Sequence, residues 1–278
     1  MALFDALRCT LKIVSWLLTI GGKGKYSEVR ILMYHRVTGD TNYELDVRYE
    51  HFSAQMKYLA ENGNVISLDR ALEHINGVPE YTDPVYVITF DDAYEDFYHK
   101  VMPLLQRYKL PATLYVTTDF VNNPNHVPLS NKSNCKSSMP SVNWNMLEEI
   151  ANSGLITIGG HTHTHKELPS LSDAEVFDEI YRCDSLMLEK LGVNVAHFAY
   201  PRGVWSLHVE GLIGPNYKSM VLASGGAVKK GNNLTRRLPR VPILQSDGLF
   251  WFKSRINGRL KFEEMVVGKM KKLNIQSK

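Results

Sequence analysis

The stretch VYVITF at 85–90, running straight into DDAYEDF at 91–97, decides how this chain is read. Six apolar or β-favouring residues without polar alternation describe a strand covered on both faces, as in a parallel sheet, rather than one with a wet side. The same signature recurs at 30–35 (RILMYH), 112–117 (ATLYVT), 155–160 (LITIGG), 197–201 (HFAYP), 219–224 (SMVLAS) and 238–243 (LPRVPI). Helical patterns fill the gaps. In FSAQMKYLAENG, Phe52, Met56 and Leu59 form a core stripe and Gly63 offers a stop; SDAEVFDEIYRCDSLMLEKLG opens with Ser172 and Glu175 at capping-box spacing and closes at Gly192. Strand–helix alternation with about seven strands predicts an α/β fold, a barrel or partial barrel, with no internal repeat and no interdomain linker. The polar stretch Asn122 to Ser141 reads as a long surface loop.

Composition narrows the class without naming a function. At 278 residues the chain can bury a substantial core, and its apolar and charged fractions, 44% and 22%, are ordinary for a globular protein. A formal charge of +3 gives no argument for nucleic acid as a partner. The three cysteines, Cys9, Cys135 and Cys183, are scattered, which fits a reducing compartment better than a disulfide framework or a zinc knuckle.

Reactive side chains gather just past the predicted strands: His35, Asp91 and Asp92, His161 to His165, and Arg202 after Tyr200-Pro201. Barrel enzymes build their sites from those ends, so residues distant in sequence can share one pocket. Two adjacent carboxylates repel, and one is pushed toward protonation unless a cation lies between them. A metal resolves the conflict by ligating one and leaving its neighbour as a base. The competing reading, that the pair caps a following helix, is common. A phosphatase with an aspartyl nucleophile would need a second Asp where Ala93 stands.

GHTHTHK at 160–166 raises the odds of a metal. Imidazole is a frequent zinc ligand, and a catalytic site uses three protein ligands and keeps one position open. In an extended strand His161, His163 and His165 would face one way; on a helical turn only His161 and His165 would. Gly159 and Gly160 close the strand, so the chain is expected to turn into a loop or helical turn there, with His161 and His165 on one face and His163 turned elsewhere.

TFDDAYEDF, HTHTH and FAYPRG, in that order, resemble the three motifs of the polysaccharide deacetylases, the family of NodB-homology carbohydrate esterases. LMYHRV near the start and LPRVPI near the end resemble one branch of it, so the likeness runs over about residues 30–243. The resemblance implies a distorted (β/α) barrel of about seven parallel strands in a single domain, with a divalent metal, most often Zn2+, on Asp92, His161 and His165. It assigns the general base to Asp91 and an oxyanion-binding N–H to Arg202 after Pro201, with Tyr200, Pro201 and Arg202 lining the substrate site. His163 falls at a variable position. Two departures stand out. The motif Arg that orients the base is replaced by Ala199, a gap that Arg240 of LPRVPI is expected to fill, and no late His follows Ser219, which leaves His35 as the candidate acid. His208 reads as an exposed helix residue.

The expected activity is metal-dependent removal of an N-acetyl group from an amino sugar in a polysaccharide or lipid-linked glycan. The alternatives are a sugar O-acetyl esterase and a carbohydrate-binding descendant without catalysis. The termini add a localisation. Residues 1–25 read as an amphipathic segment ahead of a deacetylase domain at 26–278. Leu3, Leu7, Leu11, Val14 and Leu18 form one stripe; Asp5, Arg8, Lys12, Ser15 and Thr19 form the other. The apolar run from Ile13 to Ile20 is too short to span a bilayer, TIGGKGK is a poor cleavage site, and the C-terminal stretch mixes large apolar residues with Lys and Arg. A cytoplasmic protein, peripheral on the inner face of the membrane, is the expectation; a helix packed on its own domain is the alternative.

Overall fold

The structure is a computed structural model that describes residues 2–19, 28–77, 81, 84–128, 139–229, 231 and 235–267. Much of the loop expected between Asn122 and Ser141, at 129–138, lies outside the described residues, as does Cys135. Two compact units divide the chain: Tyr26–Ser246 forms one, and Met1–Lys25 with Asp247–Lys278 forms the other.

The larger unit is a closed barrel of seven parallel strands. Among the described residues its strands are β1 (Glu28–Tyr34), β2 (Asn64–Val65), β3 (Val85–Phe90), β4 (Ala112–Val116), β5 (Ile156–Gly160), β6 (His197–Ala199), β7 (Ser219–Gly225), β8 (Val228–Lys229) and β9 (Leu238–Pro242). The ring runs β3-β4-β5-β6-β7-β9-β1 and closes where β1 pairs with β3, Val29 opposite Val85 through Tyr34 opposite Phe90. The seven apolar runs of the sequence are these seven strands. Every residue of β1 and β3 is buried, as expected for strands covered by side chains within the ring and helices outside it. The two-residue strands β2 and β8 lie outside the ring, beside β3 and antiparallel to β1.

The barrel is uneven. β5 meets β6 at a single register position, Gly160 opposite Phe198, and the β7–β9 register shifts between Val221 and Gly225. Gly159 has a steric task there: a Cβ would stand 2.5 Å from the Tyr115 ring, which fills the space beneath it.

Helices α1 (Ala2–Leu18), α2 (Tyr49–Asn62), α3 (Leu68–Ile75), α4 (Met102–Tyr108), α5 (Thr118–Asn122), α6 (Trp144–Ala151), α7 (Asp173–Leu191), α8 (Leu207–Ile213) and α9 (Leu249–Ile256) complete the secondary structure used below. In α2 the buried stripe includes Phe52, Met56 and Leu59, and the helix does end before Gly63. It ends in an extended conformation rather than a left-handed one; Gly63 is required there because a Cβ would lie 2.8 Å from the Tyr86 ring. α7 starts on a reciprocal capping box between Ser172 and Glu175 and stops at Gly192 with φ 65°.

Candidate active site

Four strand ends converge. β3 delivers Asp91 and Asp92, β5 delivers His161, β1 delivers His35, and β9 sends Arg240 inward to meet them. Backbone bonds extend the ladders just far enough to aim these residues: Asp91 N–H donates to Tyr34 O at 3.1 Å and His161 N–H to Val116 O at 3.0 Å.

Beyond that point the chain bends through backbone conformations that L-residues seldom adopt. Asp92 and Ala93 have φ of 75° and 66°, Thr162 and His165 have 67° and 59°, and Arg202 has 56°. Such residues cost of order 1–3 kcal/mol each and persist where surrounding contacts hold them. Here the holding contacts are visible. Thr162 Oγ1 accepts from His165 N–H at 2.9 Å, and the buried Glu179 of α7 accepts from Thr164 N–H at 2.8 Å and from the Thr164 hydroxyl. The segment is therefore a kinked loop, one of the two forms expected after Gly159 and Gly160, and it brings His161 and His165 together, their rings 4.8 Å apart. His163 turns away, with its Nδ1 2.9 Å from the Thr118 hydroxyl.

Asp92, His161 and His165 offer one ligand atom each within 4.8 Å of one another. The nearest approaches are 3.6 Å from His161 Nε2 and 3.5 Å from His165 Nε2 to Asp92 Oδ1. Both Asp92 oxygens are buried and neither has a hydrogen-bond partner, a costly condition for a carboxylate unless a cation completes it. Burial, then the charge of Asp91, pushes Asp92 well above the ordinary carboxylate range. Burial lowers both histidines, which leaves neutral imidazoles with lone pairs to give. His161 Nδ1 lies 2.7 Å from Ala199 O; that carbonyl can only accept, so the proton sits on Nδ1 and Nε2 faces Asp92 as a donor of electrons. The residues present thus fit a divalent metal.

Asp91 is treated in the opposite way. The Arg240 guanidinium grips both its oxygens at 2.6 Å, and the pair is almost wholly buried. Arg240 is itself fixed by Leu222 O at 2.6 Å, by Thr89 Oγ1 at 3.1 Å and by the Tyr115 ring, 5.5 Å away. Burial alone would raise Asp91, but Arg240 and then His161 outweigh it and hold the carboxyl well below its usual range. Two neighbouring aspartates are thereby driven apart in acidity, one ionised and fixed, the other in need of a cation.

His35 Nε2 stands 3.8 Å from Asp91 Oδ2, and its buried Nδ1 has no partner. Burial lowers it to about 4 against the pull of Asp91. The loop behind it is pinned by Asp96, which accepts from Val37 N–H at 2.6 Å, and by Asp46, which accepts from Thr38 and Gly39 N–H at 2.9 and 2.8 Å.

The structure does not bring every expected residue to this cluster. The Tyr200 ring is buried in a core cluster with Phe198 and Met220, its hydroxyl on the Met220 sulfur at 3.5 Å, away from the Asp92, His161 and His165 cluster. The cause is the strand pleat: Tyr200 falls on the same face as Phe198, two positions back, and the Ala199 side chain on the opposite one. Pro201 is also buried, and the half-exposed Arg202 side chain pairs with Glu167 at 3.0 Å, which leaves its backbone, in a left-handed turn, as the feature nearest the expected role. His208 is exposed and pairs with Asp173. Sequence reading missed the Ala199 carbonyl and Tyr43, a half-buried residue whose hydroxyl is raised to about 12 by burial and by the charge of Asp92. Tyr43 lies in no motif and carried no signal of its place.

Fold and site together define a (β/α) barrel with a candidate metal centre at the carboxyl ends of its strands. The family model for polysaccharide deacetylase matches residues 79–212, which carry Asp91, Asp92, His161 and His165. By that match and by its relatives, the chain is similar to the polysaccharide deacetylases.

Among those relatives, YxkH of Bacillus subtilis (strain 168), a polysaccharide deacetylase by name, is 26% identical over 180 residues, 64% of this chain and 58% of YxkH. The poly-beta-1,6-N-acetyl-D-glucosamine N-deacetylase of Escherichia coli (strain K12) is 28% identical over 119 residues, 42% of this chain. The match spans only 18% of that larger protein. The solved structure of the Streptococcus pyogenes deacetylase PplD in complex with acetate superposes with a TM-score of 0.69 at 22% identity, covering 84% of this chain and 99% of PplD, a likeness of fold.

Proposed function

We propose that this chain is a metal-dependent deacetylase that hydrolyses the N-acetyl group of an amino sugar within a glycan. The observation that carries the reading is the pairing of a buried, partnerless Asp92 flanked by two neutral histidines with an ionised Asp91 clamped by Arg240. A non-catalytic sugar-binding protein would have no use for that clamped base.

Asp92, His161 and His165 would hold the ion, with Zn2+ the simplest match to one carboxylate and two imidazoles. Such an ion supplies Lewis acidity, making water easier to deprotonate and drawing charge from an acyl oxygen. Asp91 is the proton acceptor: its Oδ2 lies 4.0 Å from His161 Nε2, beside the ligand set, and Arg240 stops the carboxylate from turning away. As water loses its proton to Asp91 its oxygen bonds to the acetyl carbon, and the Arg202 backbone N–H is the group offered to the oxyanion. The C–N bond then breaks, the sugar nitrogen takes up a proton, and acetate and a free amine remain. His35, the titratable neighbour of Asp91, is the carrier of that proton. It is neutral at rest, so it can accept one and pass it on.

The substrate we put first is a β-1,6-linked N-acetylglucosamine polymer, because relatives in Escherichia coli and Staphylococcus aureus are named for acting on it. Acetate release from N-acetylglucosamine oligomers is expected from zinc-loaded protein and should stop when a chelator strips the metal. An O-acetylated xylan in the same panel tests the ester alternative. Metal-loaded protein that releases acetate from neither would sink the reading.

His35→Gln is expected to lower kcat about 10²-fold, the typical worth of a positioned proton carrier. The sign of its pH effect follows from its lowered pKa. Because His35 must be neutral to accept a proton, wild-type rate should fall as pH drops through about 4. The variant should lack that limb. An unchanged rate and profile would remove His35 from the mechanism.

A further inference from the structure

The smaller unit, Met1–Lys25 with Asp247–Lys278, contains a helix turned inside out. A surface helix ordinarily buries its apolar stripe and wets its charged one. In α1 the charged stripe is the buried one. Arg8 Nε meets Glu263 at 2.7 Å, Lys12 Nζ meets Asp247 at 2.8 Å, and the Ser15 hydroxyl donates to Arg259 O at 2.8 Å. Behind them Arg255 ties Asp247, Glu263 and Glu264 into one network, with distances of 2.6 Å to Asp247 and 3.1 Å to each glutamate. These buried contacts set the rotation of the helix, because removing one partner would strand a buried charge.

The consequence is on the outer side. Ile13, Leu17 and Leu18 of α1 are 45%, 55% and 69% exposed, and Phe250 of α9, whose ring packs 5.8 Å from Trp16, is 56% exposed. Met265, in the helical stretch at 261–267, is half-exposed as well. Eight of the thirteen large hydrophobic side chains exposed among the described residues belong to this unit. A concentration of that kind marks a surface meant to be covered.

Charge says what covers it. Of the 32 Lys and Arg, 12 fall in the segments 1–25 and 247–278, against 4 of the 29 Asp and Glu. This unit therefore carries +8, while the rest of the chain carries −5. A second copy would bring a like charge against it. An anionic lipid surface offers the opposite charge to the basic residues and an acyl boundary to the apolar face. No helix among the described residues is long and apolar enough to cross a membrane, so the mode left to this face is to lie in the interface.

We propose that Met1–Lys25 and Asp247–Lys278 form a docking unit that seats the protein on an anionic bilayer through the apolar face of α1, with Phe250 beside it. The proposal is independent of the reaction at the barrel. Its test is flotation of the full-length chain with phosphatidylglycerol-containing vesicles and with phosphatidylcholine vesicles. Wild type should float with the first, much less with the second, and be released by raised salt. The double variant Leu17→Glu/Leu18→Glu alters only exposed positions. It should keep the wild-type melting temperature while its partition onto anionic vesicles falls at least about tenfold, since it loses apolar insertion and gains two repelled charges. Failure of wild type to float, or equal flotation of the folded double variant, would overturn the proposal. So would a wild-type dimer in solution that the double variant renders monomeric, which would give the face to a second copy.

Discussion

Asp91→Asn is expected to lower acetate release by at least about 10³-fold while leaving the metal content unchanged, within the range set by loss of a positioned base. Asparagine keeps the shape of the side chain but cannot take a proton from water. The change reaches the metal only indirectly, because the three ligand side chains, Asp92, His161 and His165, are left in place. Asp92→Ala should behave differently, losing metal and turnover together. Metal analysis of the purified variants beside initial rates separates the two. An Asp91→Asn enzyme within tenfold of wild type, or an active Asp92→Ala enzyme without metal, would refute the assignment. Asp91→Asn should also soften the fold. One guanidinium N–H of Arg240 would face an amide that donates instead of accepts, and the buried cation would lose its counter-charge, a type of loss that costs about 3–5 kcal/mol. The pH dependence has a definite sign. A depressed carboxyl stabilises the fold above its unfolded pKa, and that contribution fades as pH falls through the lower folded value. The variant should therefore show a flatter decline in stability on acidification.

The parts of this molecule that were legible in sequence are those encoded locally. Seven apolar runs became seven barrel strands because a strand covered on both faces needs no knowledge of its neighbours to be apolar throughout. The four residues Asp91, Asp92, His161 and His165 stood out because strand ends put chemistry beside short, unusual motifs. What stayed hidden was set by tertiary contact. Ala199 O fixes the His161 tautomer through a carbonyl, which every residue possesses. Tyr200 looked like part of a motif, yet its ring follows the pleat into the core. The amphipathic pattern of α1 was plain, but not which face would be buried; that was decided by acidic residues 235 and 255 positions away, Asp247 and Glu263. Periodicity reports that a helix has two faces and is silent about which neighbour claims each.

Arg240→Gln is the second large effect to expect, and it separates a positioning residue from a merely structural one. Arg240 touches no ligand of the candidate metal; it acts through Asp91, both of whose oxygens it holds at 2.6 Å. Glutamine can give one hydrogen bond where the fork gave two, and it brings no charge. Asp91 would then be a buried carboxylate without its cation, so a loss of about 3–5 kcal/mol of stability is expected. Activity should fall as well, by about 10²-fold near neutral pH, but the diagnostic is the shape of the pH profile. Burial already pushes Asp91 upward and only the surrounding positive charge reverses it. With Arg240 gone, the protonated, inactive form of Asp91 should persist to higher pH, so the acidic limb of kcat/KM moves upward and part of the lost rate returns as pH rises. Arg240→Lys should restore the low-pH limb more than the rate, since a point charge can hold the carboxylate ionised without matching its two oxygens. A uniform loss in both variants, with profiles superimposable on wild type, would mean that Arg240 only packs between β9 and β3. A limb that moves with the charge at position 240 would mean that this chain tunes its base from the last strand of the barrel, replacing the arginine for which Ala199 stands in the third motif.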